Sequence, residues 1–191
     1  MGIFKNGFSK KGLWLLLSTC AFPIHVWTLV MFFRDFSWIS ERTNTWDAIG
    51  VGSYGLMIAF IESLFVFTIA LGLSLLLPQK WSEDKRISIV GAAVLLIAFW
   101  AIAGQLYFLM EIHFPSRIIQ FAARNSHPLW VIYGAVLVAV GSTIALAGYM
   151  LIKSENVQEN TLALFERLST LSALYIFLDF CGLLVVVIRN L

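Results

Sequence analysis

Five stretches of the chain run apolar for about twenty residues or more, and the polar residues gather in the short segments between them. The stretches are 13–33, 47–77, 87–111, 129–152 and 168–188. A helix needs about 20 apolar residues to cross the ~30 Å hydrocarbon of a bilayer, and each stretch reaches that length. The expected fold is all-α: a polytopic membrane bundle of five transmembrane helices, forming one integral-membrane domain over residues 1–191.

The second stretch, Asp47 to Leu77, is the longest at 31 residues. It lacks proline, and its one internal charge is Glu62, with fifteen residues on either side. A lone acid at the membrane midplane costs at least ~2.5 kcal/mol, so Glu62 requires a physical reason. The length, ~45 Å as a helix, predicts that this span tilts or extends beyond the bilayer.

Boundaries have local causes. Asn44 and Asp47 are placed to cap the second span, and Pro78 ends it. Pro115 and Pro128 bracket a segment in which Arg117 and Arg124 share one helical face while Ile118, Ile119 and Ala122 share another. That pattern predicts a short helix lying on the membrane surface. The fifth span is expected to begin as helix near Thr161, before the membrane does.

Composition agrees with the pattern: 60% of residues are hydrophobic and 13% charged. Soluble domains carry about twice that charge. The net charge is +2 and no basic run interleaves with aromatics, so no nucleic-acid partner is expected. Cys20 and Cys181 fall at different depths of apolar segments, which argues against a disulfide. There is no Asn-x-Ser/Thr acceptor. Lys5, Lys10 and Lys11 precede an apolar run of about 21 residues without a small-x-small cleavage pattern, so the first span is read as retained.

Lys and Arg set the orientation. Eight fall in the tail, the 78–86 loop and the 153–167 loop, against five in the 34–46 loop, the 112–128 loop and the C-terminus. The N-terminus is therefore expected inside and the C-terminus outside, with the bacterial inner (plasma) membrane as the location. Trp14 and Trp81 then mark the inner interface, and Trp38, Trp46 and Trp130 the outer one.

Small residues mark packing. Gly134, Gly141 and Gly148 follow heptad spacing in the fourth span, with Ala145 four residues after Gly141. Such a seam lets a second helix approach closely, in the same chain or a neighbouring one. Gly91, Ala98 and Gln105 have the same spacing in the third span, which predicts that the two seams face each other. Gly50-Val51-Gly52-Ser53-Tyr54-Gly55 reads as G-x-G-x-x-G, but a dinucleotide site needs that pattern after a strand. Here it opens a membrane helix, so Gly55 and its companions are assigned to helix packing.

Three ionisable residues lie near the centres of their spans: His25, Glu62 and Asp179. Ser18, His25 and Thr28 share a stripe of the first span, Gly55, Ala59 and Glu62 one of the second, and Ser172, Tyr175, Asp179 and Gly182 one of the fifth. Three polar stripes at one depth predict one interior cluster, because isolated charges do not tolerate lipid. Its chemistry divides two ways: a functional cluster, either proton- or cation-responsive or a site for a small polar ligand, or interhelical hydrogen bonding that fixes the bundle. Pro23, two residues before His25, is expected to kink the first span and free a carbonyl nearby. Glu111, His113 and His127 gather near one surface, but Glu-x-His with a distant His is weak metal spacing. No metal or other cofactor is expected, and no catalytic motif is present.

The first functional expectation is a non-enzymatic membrane protein acting as an oligomeric sensor, scaffold or anchoring subunit. Its partners would be the lipid bilayer, further copies of itself and a soluble or membrane protein. The alternatives are a proton- or cation-conducting channel or transporter subunit using Glu62, Asp179 and His25, and a small intramembrane enzyme acting on a lipid-like substrate.

Overall fold

The computed structural model describes residues 8–111 and 115–191. Within them the chain forms six helices and no strand: α1 (Lys10–Arg42), α2 (Thr45–Leu76), α3 (Glu83–Leu109), α4 (Ser116–Ala123), α5 (Pro128–Lys153) and α6 (Glu155–Asn190). All but α4 are long and apolar enough to cross a membrane. His113 lies outside the described residues.

Side-chain caps set the helix starts. Asp47 N donates to Asn44 Oδ1 at 2.9 Å, and Asn44 Nδ2 donates back to Asp47 Oδ2 at 2.8 Å. Ser9, Ser82 and Ser154 accept from the backbone of α1, α3 and α6 in the same manner. Pro128 opens α5, where its missing N–H costs nothing. Glu111 ends α3 with a φ of 51°, a left-handed position more often taken by glycine.

The fifth span differs from its expected start. α6 begins at Glu155 rather than near Thr161, and Ser154 alone separates it from α5. Ser154 Oγ accepts from Val157 N, and Glu155 in the first turn suits the positive end of the helix dipole. The polar stretch there is helix rather than loop.

Polar contacts fix how the helices run. Lys11 pairs with Glu166 at 2.6 Å, Ser172 Oγ donates to Ser18 O at 2.9 Å, and His25 meets Asp179 at 2.9 Å. These pairs follow one another in the same order on both helices, so α1 and α6 are parallel. α2, α3 and α5 alternate in direction around them. At one end Ser9 donates to Glu83 and Lys85 to Ile152 O. At the other, Arg189 donates to Trp46 O and Asp47, and Asn190 to Tyr54.

α1 is the centre, packed by α2, α3 and α6. One apolar cluster joins Leu16, Cys20, Ala70 and Val90; another joins Leu15, Ile87 and Phe165. The buried face of α2 is made wholly of small residues: Ala48, Gly50, Ser53, Ala59, Ser63, Ala70 and Ser74. Close backbone approach is the main source of helix association where lipid supplies no hydrophobic drive. The glycines of the G-x-G-x-x-G run belong to this face and its edge, with Gly50 against Arg189, Gly52 against Phe32 and Gly55 against Thr28.

The expected meeting of the α3 and α5 seams does not occur. Gly91 packs on Phe165 and Thr19, whereas among the described residues Gly134, Gly141 and Gly148 have nothing within 4 Å of an added Cβ. α5 reaches α3 through other residues, among them Trp100, whose Nε1 donates to Thr143 Oγ1 at 3.1 Å. Leu151 is its one buried residue.

Candidate functional site

The junction of α1, α2 and α6 is built around His25, which is fully buried. Its Nδ1 lies 2.8 Å from Ala21 O, one turn back on α1. A carbonyl can only accept, so Nδ1 carries a proton and donates. This carbonyl is not the one that Pro23 releases. The Pro23 ring lacks the N–H that would have bonded to Thr19 O.

The other ring nitrogen, Nε2, lies 2.9 Å from Asp179 Oδ2 and 3.1 Å from Oδ1. One proton is shared across this contact. If it rests on Nε2, an imidazolium faces a carboxylate; if it rests on Asp179, a neutral acid donates to a neutral ring. Both arrangements carry zero net charge, which lowers the cost of burying them. Asp179 itself is only 4% exposed.

Tyr175, one turn before Asp179, stacks on the imidazole with ring centroids 5.7 Å apart and planes 6° from parallel. Ser172 Oγ donates to Ser18 O on α1 and to Leu168 O on its own helix. From Ser18 to His25 and from Ser172 to Asp179 are both seven residues. The two contacts therefore repeat on one heptad of a parallel helix pair.

Of the residues expected in the cluster, the structure brings together His25, Asp179, Tyr175 and Ser172. Glu62 is not among them. α2 turns its side chain outward, to an exposed position, and presents Ser63 inward instead. Ser63 Oγ donates to Ala59 O at 2.7 Å and sits 3.5 Å from His25 Nδ1, a marginal distance for a hydrogen bond. Extending the line Gly55, Ala59 by a further four residues, rather than three, reaches Ser63; that signal was in the chain.

Glu62 faces a second feature. A groove of about 360 Å³ runs between α2 and α3, floored by α1, with Glu62, Thr28 and Gln105 among its polar lining residues. Among the described residues Glu62 makes no hydrogen bond or ion pair. Neither His25 nor Asp179 lines this groove or the four other cavities described. Among the described residues no three His, Cys, Asp or Glu gather as metal ligands. Cys20 and Cys181 are both free thiols.

No protein-family model, curated protein or solved structure matches this chain.

Proposed function

We propose that this protein is a non-enzymatic membrane scaffold or sensor subunit that works as an oligomer, with copies meeting through α5. One observation carries the reading: the heptad glycines Gly134, Gly141 and Gly148 leave open space in front of α5, and Ala145 beside them is exposed. A glycine seam costs helix stability, and among the described residues nothing is packed on it to offset that cost. A facing copy of the same seam would do so, because matching small residues on a heptad allow a close left-handed helix pair.

The polar junction supports a scaffold more than a conduit. His25 and Asp179 are sealed among α1, α2 and α6, and the described cavities do not reach them. A proton or ion path through one copy would need a connection from that pair to either end of the bundle. The orientation we adopt places Lys11, Lys85 and Lys153 inside and Arg189 outside a bacterial inner membrane, supported by the excess of Lys and Arg at the first end.

Native mass spectrometry of the protein in mild detergent tests the oligomer. A dimer or higher multiple is expected, and Gly141→Leu is expected to return it to the monomer while leaving the fold intact. A wild-type monomer overturns the proposal, as does a Gly141→Leu oligomer of unchanged mass and stability.

A further inference from the structure

We infer that the groove between α2 and α3 binds a single-chain amphiphile with an ammonium head, taken sideways from the bilayer, with Glu62 as the anion for that head. The groove has two walls and a floor. Glu62, Val66, Ile69, Ala70 and Leu73 form the α2 wall, and Val94 through Gln105 the α3 wall. α1 supplies the floor with Cys20, Pro23, Ile24 and Trp27. α2 and α3 pack on each other less than either packs on α1, and the groove between them is partly open.

The lining is graded along its length. α2 and α3 are antiparallel, so Glu62 and Gln105 lie toward one end and Leu73 and Val94 toward the other. The polar end offers a carboxyl group, an amide and the Thr28 hydroxyl, and among the described residues no Lys, Arg or His lines the groove. A carboxyl group without a protein partner in low dielectric either stays neutral or meets a cation or a strong donor, and an amine head can take its proton and pair with it. The Trp27 indole on the floor adds an aromatic surface of the kind that attracts ammonium groups. The remainder of the lining is aliphatic and suits a hydrocarbon tail.

Size decides between a tail and a partner helix. Each wall spans twelve residues from its polar to its apolar end, eleven rises of 1.5 Å or ~16 Å. A transmembrane helix would need a groove nearer ~30 Å long. The 360 Å³ volume falls in the lower part of the small-molecule range of ~300–1,000 Å³. One chain is accommodated, with its head at the midplane depth of Glu62 and its tail toward the Leu73 end.

The test uses the full chain in zwitterionic nanodiscs and three probes with one brominated twelve-carbon tail: an amine, an alcohol and a carboxylate. The readout is the quenching that disappears in Trp27→Phe. Saturable quenching by the amine is expected, about tenfold or more tighter than by the alcohol, with the carboxylate weaker still. Glu62→Gln should bring the amine to the level of the alcohol. Glu62→Lys should exclude the amine and admit the carboxylate, a reversal that loss of folding cannot imitate. Equal quenching by all three heads, or amine binding indifferent to Glu62→Gln, overturns the inference. So does a photoreactive residue at Leu73 that captures a polypeptide in native membranes; capture of a single-chain amine supports it. None of these readouts depends on the α5 seam, so either idea can fail alone.

Discussion

At the scale of single residues, His25 joins three helices with one ring. It donates to its own helix, shares a proton with Asp179 on α6, and lies beside Ser63 on α2. Two magnitudes compete for the strength of this joint. Breaking a buried charge pair by removing one partner costs ~3–5 kcal/mol in soluble proteins, while interhelical hydrogen bonds in membrane proteins average ~0.6 kcal/mol. The expected loss for His25→Leu is therefore intermediate, about 1–3 kcal/mol, and larger than for Ser172→Ala, near ~0.6 kcal/mol. His25→Leu with Asp179→Leu should regain most of the loss, since a matched apolar pair leaves no orphaned charge. Reversible unfolding of the wild type, His25→Leu, Asp179→Leu and the double variant in detergent measures the coupling. Additive losses would mean that the two residues do not act as a pair.

The same residues show what can be read before a structure. The depth of His25 and Asp179 follows from their place in their spans, and their matched seven-residue offsets from Ser18 and Ser172 already contain the register of α1 on α6. Direction around the axis does not follow. These helices are apolar on nearly every side, so no hydrophobic face distinguishes Glu62 from Ser63, one residue and ~100° further round. Charge drew attention to Glu62, while the smaller hydroxyl is the group the junction accepts.

At the scale of helices, two kinds of glycine look alike in sequence and differ in the fold. An added Cβ at Gly91 would lie 2.5 Å from Phe165 Cε2, and Phe165 cannot retreat because it is fully buried beside Leu15 and Ile87. Gly141 faces open space. Gly91→Val should therefore cost about 1–3 kcal/mol of overpacking, with Phe165→Leu relieving part of it. Gly141→Leu should leave the monomer at least as stable, since glycine is a poor helix former. Thermal unfolding of monomeric samples separates the two, and equal destabilisation would contradict the packing described. Spacing alone could not tell these glycines apart, because it records which residues share a face and not what stands opposite. The seam that holds the chain together lies on α2, where alanine and serine do the work that the more visible glycines suggested for α5.

At the scale of the whole molecule, the ends of the bundle are tied unequally. Lys11 and Glu166 are 2.6 Å apart, but their side chains remain 73% and 52% exposed. Water screens such a pair, and ~0–1 kcal/mol is its ordinary worth. Arg189 is only 22% exposed, and it donates to Asp47 and to the Trp46 carbonyl at 2.8 Å and 2.6 Å. It thereby secures the last turn of α6 to the first turn of α2. The planar guanidinium makes both bonds from one rigid group, which loses less side-chain entropy per bond than a flexible ammonium does. Neither tie touches the buried junction, so neither should govern global unfolding. Arg189→Ala is expected to speed amide exchange over the last two turns of α6 and the first turn of α2, leaving the amides around His25 and Asp179 protected. Lys11→Ala should change little at either end. Hydrogen–deuterium exchange in nanodiscs resolves these segments. Exchange that rises at the centre with Arg189→Ala would show that the end contact and the polar junction open together, and the bundle would then be one cooperative unit rather than a fixed centre with separately secured ends.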